Sequence, residues 1–477
     1  MNSSFKRFLK NFSNKESALL KSVAAEASPN IPPEFNGKDY IAFLLHIDAE
    51  IEHGLMLQYL YAAYSLGGPQ VPEKYRAQVR KWQEIILGVA KEEMAHFISV
   101  QNALKLIGAP LNLGRDDYPW DTPFYPFPFK LEPLTLDSLA KYVYCESPPK
   151  GEWGKENLKY EIEIYKKVNS ETRHHHRVGE LFDLVLKLIK DPKVIPDDAF
   201  QPNTFPFQAT WDEWGRGYKG GRSSVPGMPE FEPDLLVLPG ASRDDAYNAL
   251  KAISVQGEAG KVSENSGLPS HFERFLNVYK EMQQVQKESG GKWLPARNVG
   301  VNPWIDDSID PHEAPDEGLK SDQRRDKITN PTAQLWANLF NVRYRMVLNY
   351  LTHTFLLDGG LTTLGSLNPR GIIINSTFGE MYNMRSIAGI MVQLPISLNP
   401  SCKVMAGPPF LIPYTIELPL GEYNRWSTHK DQLIAASRIV DQLLISSPEK
   451  HHNYLHSLQE ADDKLLKMID KILLQCK

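Results

Sequence analysis

The chain has 477 residues, 42% of them hydrophobic, and a net charge of −5. That is enough apolar material for a large core or for two to four domains, and the slight negative charge excludes the global basic field of a nucleic-acid binder. Three cysteines (Cys145, Cys402, Cys476) lie far apart, which excludes a disulfide framework, argues against a thiolate metal site and points to a reducing, cytoplasmic setting.

Residues 1–38 form an N-terminal segment. Its Phe5-Lys6-Arg7-Phe8-Leu9-Lys10 stretch is apolar and basic but has no long apolar core followed by a cleavage site, so it does not read as a secretory signal. A docking helix or a frayed terminus is favoured over a membrane-surface helix. Nowhere does the sequence hold the run of about 18 apolar residues that a membrane-spanning helix needs. The first strong helix is predicted over 39–66, where Leu45, Ile47, Ile51, Leu55, Tyr59 and Leu60 recur at helical spacing and Gly67-Gly68-Pro69 stops it. Glu52 lies on that stripe, among Leu45, Ala49, Leu55, Met56 and Tyr59. Glu50 and His53 also stand three apart, but in more mixed surroundings, so Glu52 is the better inward carboxylate.

A second helix is predicted over 79–107, closed by Gly108-Ala109-Pro110. It carries Lys91-Glu92-Glu93-Met94-Ala95-His96. Glu93 and His96 are three apart and share a helix face, with Ile86, Val89, Ala90, Phe97 and Val100 around Glu93 at helical offsets. An unpaired carboxylate on a buried stripe is too costly to keep ionised, and a metal ion is one way to compensate it. Glu-x-x-His alone arises by chance in many helices, so a solvated or core-satisfied pair explains it equally well until further ligands are found.

Tyr118 to Phe129 interleaves prolines with aromatics, which disfavours helix and predicts an ordered loop packed on the helices. A short helix over 136–145 stops at Pro148-Pro149. His174-His175-His176 would point three ways on a helix and reads as exposed. Val178-Gly179-Glu180-Leu181-Phe182 opens an apolar helix through Ile189, with Glu180 at the head of a stripe of Leu181, Leu184, Val185 and Leu188. Residues 191–240 read as a long connection with short strands or turns. A helix over 242–257 leads into Gln256-Gly257-Glu258, and Ser270 is a candidate N-cap for the next helix, which opens on His271. Residues 290–330 form a charged, Pro-rich linker. Beyond it helices are predicted over 332–357, 378–394, 430–445 and 449–475, with an extended, Pro-rich stretch over 404–420.

Four helices thus offer an acidic residue at a buried or helix-end position, and two add a histidine: Glu52, Glu93 with His96, Glu180, and Glu258 with His271. One Glu from each of two helices plus a Glu/His pair from each of two others is the di-iron or di-manganese ligand set of ferritin-like bundles. The expected fold is mainly α: a ferritin-like four-helix bundle over 39–289, long Pro-rich loops, and a C-terminal helical extension over 331–477 packed on the bundle. The carboxylate-rich set suits iron, as one or two ions, or manganese better than zinc. No residue is singled out as catalytic, and no organic cofactor is indicated.

The segment Ile51 to Leu66 resembles the first helix of the ferritin-like iminophenyl-pyruvate dimer synthase family. Further matches follow in order: Glu92-Glu93-Met94-Ala95-His96, Val178-Gly179-Glu180-Leu181-Phe182, Gln256-Gly257-Glu258 with Ser270 to Phe275, Leu339-Phe340-Asn341, and Ala406 to Phe410. The resemblance implies a helical bundle, bacterial natural-product metabolism, and oxidative coupling of two imines derived from aromatic 2-oxo acids. It implies that Glu52, Glu93, His96, Glu180, Glu258 and His271 face the metal. The family's members are much longer chains. The expected function is a non-haem, metal-dependent oxidoreductase acting on an aromatic or amino-acid-derived small molecule. The alternative is a non-catalytic metal-binding or scaffold protein that keeps the ferritin-like fold. The expected partner is a small-molecule substrate, and assembly into a homo-oligomer is compatible with this reading.

Overall fold

A computed structural model describes residues 31–116, 118, 126–171, 177–215, 235–258, 269–305, 324–359, 367–412 and 415–476. Its first helix, α1 (Gly37–Ser65), starts where the Asn36 side chain accepts a bond from the Asp39 N–H. It ends before Gly67 and Gly68, both at positive φ. Helix α2 (Glu73–Leu106) begins six residues before the apolar stripe that announced it, because its first two turns are largely exposed. Then come α3 (Leu136–Cys145), α4 (Leu158–Glu171), α5 (Val178–Lys190) and α6 (Arg243–Glu258). Helix α7 (His271–Ser289) opens on a reciprocal capping box between Ser270 and Glu273 and closes on Gly290 in the left-handed region.

The chain divides into two compact units, residues 1–130 with 134–296, and residues 131–133 with 297–477. In the first unit α1 packs along α2, α3 against α4 and α7, and α5 against α1 and α6; α6 and α7 meet each other and also reach α2. Between α5 and α6 the described residues form short 3-10 turns and the single helical turn Trp211–Trp214. Of the Pro-rich aromatic loop, Phe127 and Phe129 are buried, and the Tyr118 hydroxyl donates to the Gly54 carbonyl at 2.8 Å. The loop's remaining aromatics, the triple histidine and residues 1–30 lie outside the described residues.

The second unit is built from α8 (Pro331–Thr354), α9 (Pro369–Met391), α10 (Glu422–Ser446) and α11 (His452–Gln475). Helix α8 packs on α9 and α10, and α10 on α11. Met346, Tyr350, Ile373, Trp426, Leu433 and Ile469 make its core. Within this unit Arg343 is fully buried and bridges Glu380 at 3.0 Å and Asp462 at 2.7 Å. Among the described residues β-structure is limited to isolated bridges, so the fold is mainly helical. Among them, too, no helix is long and apolar enough to cross a membrane.

Candidate metal centre

Helix periodicity brings the chemistry of the first unit together. Glu52 on α1 and Glu93 and His96 on α2 face each other across the α1–α2 contact, and each is at most 2% exposed. His271 is the first residue of α7, where the Ser270 cap fixes the chain's entry. Its Nδ1 lies 2.7 Å from Glu93 Oε1 and 3.7 Å from Glu146 Oε2. His96 Nδ1 lies 3.1 Å from Glu93 Oε2 and 3.6 Å from Glu52 Oε2. Glu93, His96 and His271 form the group whose ligand atoms all fall within 4.8 Å of one another. Glu52, Leu55, Glu93, His96, Glu146 and Gly257 contribute to the wall of one small cavity.

Both imidazoles are anchored from behind. His96 Nε2–H donates to Gln256 Oε1 at 2.8 Å, and His271 Nε2–H donates to Glu92 Oε2 at 2.9 Å. Each ring therefore presents Nδ1 inward. Glu92 is held in turn by the Arg274 guanidinium, with Nη1 at 2.9 Å. Glu92 and Glu93 are consecutive, so the helix turns one toward α7 and the other into the cluster.

Burial and neighbouring carboxylates dominate the electrostatics of the cluster. Burial raises the Glu52 carboxyl well above the usual range, and the charges of Glu93, Asp48 and Glu146 push the same way. Burial and Glu93 raise Glu146 as well. Burial also opposes charge on Glu93, but His271 and His96 outweigh it and hold that carboxylate well below the usual range. His271 is burdened by desolvation, yet Glu93, Glu146 and Glu92 raise it well above an ordinary imidazole. Glu92 sits at about 2, the His271 and Arg274 bonds overcoming its burial. Glu52 Oε2, Glu93 Oε1 and His271 Nδ1 are buried without a well-formed hydrogen bond. The 2.7 Å approach of the last two thus has the distance of a bond but not its direction. Buried polar atoms left in this state need an explanation, and an ion is one. Carboxylates and imidazoles without a thiolate in the set fit iron or manganese.

Of the six residues expected from sequence, the structure brings together Glu52, Glu93, His96 and His271. Glu180 stays apart: it pairs with Arg177 at 3.1 Å, with a third of its side chain exposed. Val178 and Phe182, four apart, turn to the cavity, and Glu180 between them points off that face. Glu258 is the last residue of α6, and its side chain lies outside the described residues. Glu146 was not anticipated. It caps the C-terminus of α3 immediately before Ser147-Pro148-Pro149, and accepts a short hydrogen bond from the buried Tyr59 hydroxyl. The sequence signal was an acidic residue between an apolar helix and a proline stop, too common to single out. Glu50, rejected as the inward carboxylate of α1, is buried instead toward Asn112, which donates to it at 3.2 Å.

The ferritin-like family profile matches residues 45–280. Dichlorochromopyrrolate synthase of Lentzea aerocolonigenes is 27% identical over 394 residues, covering 75% of this chain but 34% of that protein. The 2-imino-3-(indol-3-yl)propanoate dimerase of Chromobacterium violaceum is 29% identical over 149 residues, covering 25% of this chain and 14% of that protein. The chain thus spans about a third or less of the length of these relatives. Among solved structures, a ferritin-like protein from Caulobacter vibrioides matches 75% of this chain and 98% of its own at 16% identity and a TM-score of 0.42. Over residues 45–280 the chain carries a domain of the ferritin-like family.

Proposed function

We propose that this protein is a non-haem iron oxidoreductase of specialised metabolism that couples two aromatic, amino-acid-derived imines. The observation that carries this is the buried cluster of Glu52, Glu93, His96, Glu146 and His271, in which Glu52 Oε2, Glu93 Oε1 and His271 Nδ1 lack a well-formed hydrogen bond while the outward ring nitrogens are anchored. These five side chains would hold the metal, with manganese the other ion the set suits. When bound, iron supplies redox chemistry that no side chain here possesses.

The chain's own residues do the rest. Gln256 and Glu92 fix the two imidazoles so that Nδ1 faces inward. Arg274 keeps Glu92 ionised by pairing with it. The Tyr59 O–H holds one oxygen of Glu146 and leaves the other turned to His271. Near-complete burial keeps bulk water from the cluster. The name of the Chromobacterium violaceum dimerase supplies the substrate class, an indole-bearing imino acid. Joining two such molecules by one carbon–carbon bond releases two protons and two electrons, and dioxygen takes up both.

The test is to load the chain with ferrous iron and supply an indolyl 2-imino acid with oxygen. Oxygen uptake and coupled product by mass spectrometry are expected, both abolished in Glu93→Ala. An iron-loaded protein that consumes no oxygen and forms no coupled product refutes the reading.

A further inference from the structure

The cavity beside the cluster has a second kind of wall. Four cluster residues line it, and the apolar part comes from Leu55, Val178, Phe182, Ile253 and Gly257. Helical period sorts this apolar part. Val178 and Phe182 are four apart on α5, and Ile253 and Gly257 are four apart on α6, so each pair stands on one face of its helix. The two helices pack against each other. Leu55, Val178, Phe182 and Ile253 are all buried, so the wall is part of a close-packed interior.

The space left between these walls has room for about one water-sized molecule. Pockets for drug-sized ligands measure about 300–1,000 Å³, so an indole-bearing molecule does not fit. On α6 the limit is a single carbon: a Cβ on Gly257 would stand 3.3 Å from Glu146 Oε2. On α5 the limit is Phe182, the largest apolar side chain in the wall, whose ring alone outsizes the free space. The coupling proposed above takes one electron and one proton from each of two imines and gives both pairs to dioxygen. Of these three molecules only dioxygen, two atoms long, matches the cavity. Electrons pass through packed side chains; whole aromatic molecules do not.

We propose that Phe182, backed by Val178, is a size filter at the cluster: it admits a diatomic molecule and keeps the aromatic ring of the substrate out of the cavity, so that the imines give up their electrons without touching the ion. This rests on the coupling reading for the identity of the reactants, and adds to it which of them reaches the cluster.

The experiment loads the full chain with iron and offers it two probes. Nitric oxide, a diatomic of dioxygen's size, gives a paramagnetic-resonance signal on ferrous iron. Phenol, one aromatic ring with one ligating oxygen, gives a visible charge-transfer band on ferric iron. Wild type is expected to show the nitric oxide signal and no phenol band. Phe182→Ala, which leaves a ring-shaped space, is expected to show both. A phenol band in wild type, no nitric oxide signal in wild type, or no phenol band in a folded Phe182→Ala overturns the proposal. If Phe182→Ala does not fold, Gly257→Ala decides: the added methyl fills the cavity, and loss of the nitric oxide signal with iron retained is expected, whereas an undiminished signal overturns the proposal. If wild type holds no iron, the metal reading falls, and the filter is read on the metal-free chain with benzene, expected to bind to Phe182→Ala and not to wild type; any other pattern overturns it. Both iron probes behaving as expected in a protein that forms no coupled product would refute the proposed function and leave the filter standing.

Discussion

Glu92 offers a quantitative test of how the centre is held. Its carboxylate accepts from His271 Nε2 and Arg274 Nη1, each at 2.9 Å, and from Arg274 Nη2, in a site where Glu92 is 5% exposed. Glu92→Gln removes the charge and one acceptor oxygen. Hydrogen bonds to charged groups contribute about 1.5–3 kcal/mol each, and breaking a buried ion pair outright costs about 3–5 kcal/mol. The amide keeps one acceptor for the imidazole, so a loss of about 2–3 kcal/mol in the metal-free stability of the first unit is expected. The effect on metal is separable. Loss of the group that orients a ligand imidazole weakens metal binding about 10–100-fold, which is about 1.4–2.7 kcal/mol. Urea denaturation of the metal-free protein reads the first quantity, and competition against a chromophoric chelator reads the second. Glu92→Asp, which keeps the charge, should recover part of both. Metal affinity within twofold of wild type in Glu92→Gln would show that His271 does not depend on Glu92 for its orientation.

In the second unit, Arg343→Met strands Glu380 and Asp462 in the core and is expected to destabilise that unit by about 3–5 kcal/mol; a loss below 1 kcal/mol in thermal or chemical unfolding would mean that the two acids find other partners. The same unit should weaken in acid. His353 and His429 are buried, bonded to each other at 2.8 Å, and burial lowers both from 6.5, so the unfolded chain takes up protons first and stability falls as pH drops below about 6.5. Glu422, which accepts from His353, is held at about 2, so its contribution is present above about 4.5 and is lost between there and about 2. Melting temperatures across this range test both, and a second unit equally stable at pH 7 and pH 5 contradicts the first. On α1, a Cβ on Gly54 would meet Phe129 Cε2 at 2.3 Å, so Gly54→Ala should cost about 1–3 kcal/mol by overpacking; unchanged stability in denaturant would mean that the ring swings clear.

Much of this architecture is legible in the sequence because burial and helical period coincide. Glu52, Glu93 and His96 stand among apolar neighbours at helical offsets, and the fold puts all three inside. Ser270 and Glu273 announce the start of α7 and hence the place of His271. Boundaries drift where an exposed turn precedes the apolar stripe: α10 begins at Glu422 and α9 at Pro369, each about eight residues ahead of its periodic signal. Glu180 shows the limit of reading a stripe. Standing next to apolar residues does not say which flank a side chain takes, and Arg177, one turn away, draws it outward. Glu146 and the Arg343–Glu380–Asp462 group escape for a different reason. Their meaning comes from partners separated by 37 to 125 residues, a relation that only the fold creates.

Metal content of the protein purified from iron-supplemented cells bears most directly on whether this interior is a metal centre. Iron in stoichiometric amount is expected in the wild type, and its loss in Glu93→Ala and His96→Ala while circular dichroism still reports the helical fold. A metal-free wild type, or the same iron content in both variants, would contradict the account.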